Sequence, residues 1–150
     1  MSKYLSVIKA NLDHLEVVAN LFDQYRVFYE QDSNLAEATA FLKARIERSE
    51  SEIFIAFWEG RPAGFTQLYP FFTSVGMKRK WVLNDLFVHP SFRRRGVAMR
   101  LMLEAMDFAK TSGAASISLE TASDNHAAQR LYETLGWKKN EKFFVYDFSF

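Results

Sequence analysis

The sequence predicts a mixed α/β fold in which an antiparallel meander is followed by a strand–helix–strand crossover. Three observations predict it. Apolar residues recur at helical spacing up to about Ile46; the period then shortens to β-rich runs joined by tight turns; and Leu83 to Ala98 reads as a buried strand, a Pro-punctuated turn, three arginines and a glycine that opens an apolar helix. With 150 residues, 49% of them hydrophobic and 25% charged, the chain suits one domain over 1–150.

Tyr4 to Lys9 alternates enough for a first strand, and Asn11 to Asp13 supply capping chemistry for a helix carrying Leu15, Val18, Ala19, Phe22 and Tyr25. Ser33 is expected to cap a second helix, Leu35 to Ser49, with Ala38, Phe41, Leu42 and Ile46 inward. Glu52 to Trp58 and Ala63 to Phe72 are strands joined by Glu59-Gly60-Arg61-Pro62, and Pro70 is expected to distort or end the second. Lys80 to Val88 is a longer central strand, Arg94 to Ser112 a helix stopped by Gly113, and Ala115 to Glu120 another buried strand. Asn125 to Leu135 is a last helix, and Lys142 to Phe150 alternates as a final strand.

A helix N-terminus presents unpaired N–H groups and about half a positive charge, so Gly96 behind Arg93, Arg94 and Arg95 reads as an anion cradle. A basic turn can also be a plain solvated surface. Further on, Asn125 and Tyr132 lie seven positions apart and so share one helix face, about 10 Å apart along the axis. Nineteen Lys and Arg against 18 Asp and Glu give a net charge of +1, which offers no general attraction to nucleic acid or an anionic membrane. The absence of cysteine excludes disulfides, thiolate metal sites and a Cys nucleophile, and three scattered histidines lack metal-ligand spacing, so no metal is expected. Neither a signal-like core near Met1-Ser2-Lys3-Tyr4-Leu5 nor a run of about 18 apolar residues is present, which makes the cytoplasm the default.

The set Leu86-Phe87-Val88, then Arg93-x-x-Gly96-x-Ala98, then Asn125 and Tyr132, resembles the GNAT superfamily of acyl-CoA-dependent N-acetyltransferases over nearly the whole chain. The resemblance implies a central, mostly antiparallel sheet of about six to seven strands with a strand–helix–strand acyl-CoA core and about four flanking helices. It implies acetyl-CoA as cosubstrate, its diphosphate on the backbone of Arg94, Arg95, Gly96, Val97 and Ala98, and its pantetheine arm beside Leu86, Phe87 and Val88 like an added strand. Asn125 would hold a ligand amide, and Ala98 stands where many relatives carry a second glycine. The acceptor wall, by the same resemblance, draws on Tyr25, Tyr29, Gln67, Tyr69 and Asn84.

Acetylating an amine requires removing a proton, and an alkylamine of pKa near 10.4 costs about 4 kcal/mol to deprotonate at pH 7.4. Asp85 and Glu120 are the candidate bases; the alternatives are a structural hydrogen-bonding role for Asp85 and a capping role for Glu120. Adjacent strand residues face opposite sides, so Asn84 and Asp85 cannot both face solvent. A backbone N–H at Phe87 or Val88 could receive the thioester oxygen, and Tyr132, whose other role is packing, is the candidate acid for the leaving sulfur. The expected acceptor is a small primary amine such as a polyamine, amino acid or amino sugar. A protein N-terminus or lysine is the alternative acceptor, and a catalytically silent acyl-CoA sensor is the alternative of another class. The aromatic final strand favours a homodimer.

Overall fold

The computed structural model describes residues 4–150, so the first three residues of the amino-terminal segment lie outside it. The chain divides into two compact units, one ending at Leu119 and one running from Glu120 to Phe150.

The first unit holds a five-stranded sheet in the order β1-β2-β3-β4-β5, formed by Leu5–Lys9, Glu52–Trp58, Arg61–Thr73, Lys78–Val88 and Ile117–Ser118. The first four strands are antiparallel neighbours, and β5 runs parallel to β4. Helices α1 (Leu15–Phe28) and α2 (Leu35–Glu47) follow β1, and α3 (Val97–Thr111) carries the crossover from β4 to β5. Val18, Ala19 and Phe22 of α1 pack with Ala38 and Leu42 of α2 on Ile53, Ile55, Phe65 and Phe87, making one core layer. On the opposite sheet face, Phe108 of α3 meets Phe54 and Trp81 at 5.5 and 5.3 Å, and the Trp81 indole donates to Ser112 Oγ at 3.0 Å. No helix among the described residues is long and apolar enough to cross a membrane.

Most elements fall where periodicity puts them, and the departures have local causes. Asn34 caps α2, because the Ser33 hydroxyl is occupied in donating to Asp23. Phe41 is half-exposed, its ring covered by Arg45 at 4.5 Å. Strand β3 runs through Pro70, which pairs with Trp81; β2 pairing ends at Leu68, so beyond it β3 has a neighbour on one side only and a missing N–H breaks no ladder there. Helix α3 starts at Val97 instead of Arg94, since Arg94 and Gly96 are left-handed with φ of 62° and 77°. The strand expected over Ala115 to Glu120 is reduced to Ile117–Ser118, and no strand forms over 142–150. Among the described residues the sheet therefore has five strands, not six or seven. Side-chain alternation supplies the faces of a strand but not the neighbouring backbone that completes it.

The second unit contains α4 (His126–Thr134), with Asn125 as its N-cap and Gly136 in the left-handed conformation after its end.

Candidate active site

Strand β4 changes face in mid-course. Trp81 and Phe87 are six residues apart and should share a face, yet Trp81 packs on α3 while Phe87 meets Phe65 and Tyr25 on the α1 side, at 6.4 and 6.1 Å. The cause is a bulge. Leu83 pairs with Leu68 and Asp85 with Gln67, which leaves Asn84 without an opposite number. Asn84 is consequently exposed, and Asp85 is turned in among the side chains under α1 with 3% of its surface accessible.

Several groups converge on that carboxylate. Gln67 Nε2 donates to Oδ2 at 2.5 Å, Asn84 Nδ2 donates to Oδ1 at 2.9 Å, and the Thr66 hydroxyl holds the Asp85 main-chain carbonyl at 2.8 Å. The Tyr25 hydroxyl lies 3.5 Å from the Asn84 carbonyl, with the Tyr29 ring 5.1 Å from that of Tyr25. Burial pushes the Asp85 carboxyl above the ordinary carboxylate range, while Gln67, Asn84 and Tyr25 act against it by holding the charged form. Burial first, and the Asp85 charge second, push the Tyr69 phenol up to about 12 and raise Tyr25 as well. At neutral pH both phenols are therefore donors. Of the expected acceptor residues, the structure gathers Tyr25, Tyr69 and Gln67 around Asp85, with Tyr29 behind Tyr25 and Asn84 at the rim; Gln67 is fully buried.

Beyond the bulge, β5 pairs with β4 only at Trp81 and Val82, so no strand among the described residues bonds to Leu83–Val88 on the side away from β3. Gly64 makes the β3 side tight: a Cβ there would lie 2.5 Å from the Phe87 carbonyl. The open edge leads into a short turn, Pro90–Phe92, and then the arginines. Arg93 Nε donates to the Val88 carbonyl at 3.1 Å and its guanidinium lies 5.4 Å from the Phe28 ring centre. Arg95 stacks over Trp58 at 5.0 Å and Phe92 at 5.6 Å. Arg94 has no such support among the described residues and is exposed. Its backbone is left-handed, as it is at Glu30, Ser49, Glu59 and Met77. Gly96 caps α3 without a side-chain bond, and a Cβ there would meet nothing within 4 Å. The first N–H groups of α3 thus face a cleared approach.

In the second unit Asn125 Oδ1 accepts the Ala128 N–H at 3.2 Å and so caps α4. Gln129 donates to the Ala122 and Ser123 carbonyls at 3.2 and 3.1 Å, which fastens the loop before α4 to the helix. The Tyr132 ring is tilted against Trp137 at 6.1 Å, and Glu120 is exposed.

Residues 15–137 match the model of the acetyltransferase (GNAT) family. This chain belongs to that family. It is 46% identical over 142 residues to the uncharacterized N-acetyltransferase YhfO of Bacillus subtilis, covering 95% of each chain. A crystal structure of a probable acetyltransferase, 37% identical, superposes with a TM-score of 0.92 over 97% of each chain. The aminoglycoside N(6')-acetyltransferase type 1 of Salmonella enteritidis is 26% identical over 95% of this chain and 97% of its own. As a GNAT protein the chain is an acyl-CoA-dependent transferase, and its residues fit that donor. The cleared helix N-terminus, the exposed Arg94 and the adjoining basic side chains suit a diphosphate, and the open edge of β4 suits the amide groups of a pantetheine arm.

What the sequence alone did not show are the partners that make this arrangement: Thr66 under Asp85, Phe28 under Arg93, and Trp58 and Phe92 under Arg95. Phe92 alone lies near its arginine in sequence, at a spacing too common to mark it, while Phe28 and Trp58 reach theirs from α1 and β2, which no local pattern signals.

Proposed function

We propose that this GNAT enzyme moves an acetyl group from acetyl-CoA directly to the primary amine of a small molecule, with 1–150 acting as one catalytic domain. The observation that carries the reading is Asp85, a carboxylate buried at a strand bulge and ringed by Gln67, Asn84, Tyr25 and Tyr69. A carboxyl that burial raises above the usual carboxylate range is a better match for removing an ammonium proton than one within that range; exposed Glu120 is the second candidate.

The donor, when bound, supplies an activated acyl group and a thiolate leaving group. The N–H groups of Arg94–Ala98 and the Arg94 guanidinium would bind its diphosphate, and the backbone of Leu86, Phe87 and Val88 its pantetheine amides. Asp85 holds the proton lost by the acceptor nitrogen, directly or through a water. A backbone N–H of Phe87 or Val88 offers a hydrogen bond to the oxygen that gains charge. The Tyr132 hydroxyl carries the proton that the departing sulfur needs, and Asn125 donates to a pantetheine carbonyl. Tyr25, Tyr29 and Tyr69 present phenols and ring faces suited to a cation. The aminoglycoside relative, whose substrates carry amino groups on sugars, supports the small-amine class over a polypeptide.

The test is thiol release from acetyl-CoA, measured with a colorimetric thiol reagent against pools of polyamines, amino acids, amino sugars and peptides. The protein contributes no background because it has no cysteine. A response in a small-amine pool is expected; a response confined to peptides would reverse the acceptor class. The homodimer belongs to the same reading, supported by the exposed aromatic run at Phe143, Phe144, Tyr146, Phe148 and Phe150, and a monomer by sedimentation would remove it.

A further inference from the structure

Gln67 is wholly buried, and its two amide ends fare differently. Nε2 donates to Asp85 Oδ2, while Oε1, shielded from water, accepts no hydrogen bond among the described residues. A buried acceptor that the chain itself does not pair is costly. A methionine of similar shape would fill the same space without that cost but would strip Asp85 of a donor, so what the amide adds here is its hold on the carboxylate. A carboxylate at this depth takes up a proton unless donors hold its charge, and a protonated Asp85 cannot take the proton of an ammonium ion.

We propose that Gln67 is a positioning residue that keeps Asp85 ionised and aimed for proton removal. This rests on the reading of Asp85 as the base. The amide acts on Asp85, not on substrate. When the acceptor ammonium gives up a proton, its N–H bond breaks with the electron pair left on nitrogen, and an O–H bond forms on Asp85; the proton later leaves to solvent. A half-turn of the Gln67 amide then lets Oε1 accept that O–H, so the contact survives in both protonation states with one amide end unpaired in each. The other titratable and charged groups at this pair are Tyr25 of α1 and Tyr69 of β3, with Tyr29 reaching it through Tyr25 and Arg45 of α2 through Tyr69. The Tyr25 phenol, raised by burial, also donates to Asp85 at working pH, and Gln67 is the side chain that holds Oδ2.

The experiment is an infrared titration of the Asp85 carboxylic C=O band, identified by its absence in Asp85→Asn, in the wild-type protein, Gln67→Met and Gln67→Glu. Removing the donor is expected to raise the midpoint by about one pH unit, and Gln67→Glu to raise it further by adding a second buried carboxyl. In thiol release, the acid limb of kcat/KM for the acceptor should move up with it, costing about tenfold on the acid side and recovering at alkaline pH, with melting of Gln67→Met close to wild type because the lost donor and the relieved Oε1 offset each other. A midpoint that stays put or moves down in both variants overturns the proposal, as does a rate loss that alkaline pH does not recover. If Asp85→Asn keeps the full rate and profile, it is the base reading that falls, while the infrared shift still decides whether Gln67 governs the charge of Asp85.

Discussion

Two aspartates are buried, Asp23 on α1 and Asp85 on β4, and their carboxylates are held in opposite ways. Asp23 accepts the Ser33 hydroxyl at 2.6 Å and the Asn34 N–H at 2.8 Å, where the chain leaves α1 for α2. Those hydrogen bonds, with Arg26 nearby, hold its carboxyl below the ordinary range in spite of burial. Asp85 is more deeply buried, and its donors are amides and phenols that do not offset desolvation, so its carboxyl is raised. Asp23 gains from its charge and fastens a helix connection; Asp85 is charged at a cost, beside an open strand edge. The difference separates a carboxylate that serves the fold from one that serves the chemistry.

The largest consequence is expected at Asp85. Asp85→Asn should lower kcat/KM for the acceptor by about 100-fold or more in thiol release, with a melting temperature no lower than wild type. Asp23→Ala should do the reverse, losing about 1–3 kcal/mol in thermal or denaturant unfolding while kcat/KM stays within about twofold. A fold-destabilising Asp85→Asn, or an inactive but stable Asp23→Ala, would break the distinction.

The arginines offer a smaller version of the same division. Arg95 is stacked on Trp58 and Phe92, so Arg95→Ala should cost about 0.5–1 kcal/mol of stability. Exposed Arg94 should cost none, and Arg94→Ala should raise KM for acetyl-CoA several-fold with kcat little changed.

The smallest effect is in the pH dependence of stability. Asp23, with its lowered folded pKa, contributes stability that is present above the unfolded value near 3.9 and is lost as pH falls through the folded value. Asp85, with its raised pKa, favours folding below about pH 3.9, and that contribution disappears as pH rises through the folded value. The melting difference between Asp85→Asn and wild type should accordingly open at neutral pH and narrow below about pH 4. A constant difference would contradict the assignment.

Helix and strand periodicities and the Gly96 motif carry most of the architecture, because they are local properties of the chain. What was not legible depends on a cross-strand neighbour. Pro70 reads as a terminator until β2 is seen to end at Leu68. Ser33 and Asn34 are both good caps, and the choice is made by Asp23, ten residues away from Ser33. Alternation predicts that Asn84 and Asp85 face opposite ways but not which is buried; that follows from the bulge opposite Gln67 and Leu68, where no glycine marks the site. The same bulge turned Gln67 from an expected wall of the acceptor site into a buried partner of Asp85. Alternation over 142–150 likewise described side chains without specifying a neighbour.

The most direct test of the account is the pH profile of kcat/KM for the responding amine, measured by thiol release in wild type and Asp85→Asn. Asp85 as proton acceptor predicts a wild-type acid limb above the ordinary carboxylate range, and a variant that has lost this limb and about 100-fold or more in rate. Superimposable profiles with equal plateaus would show that the proton leaves by another route.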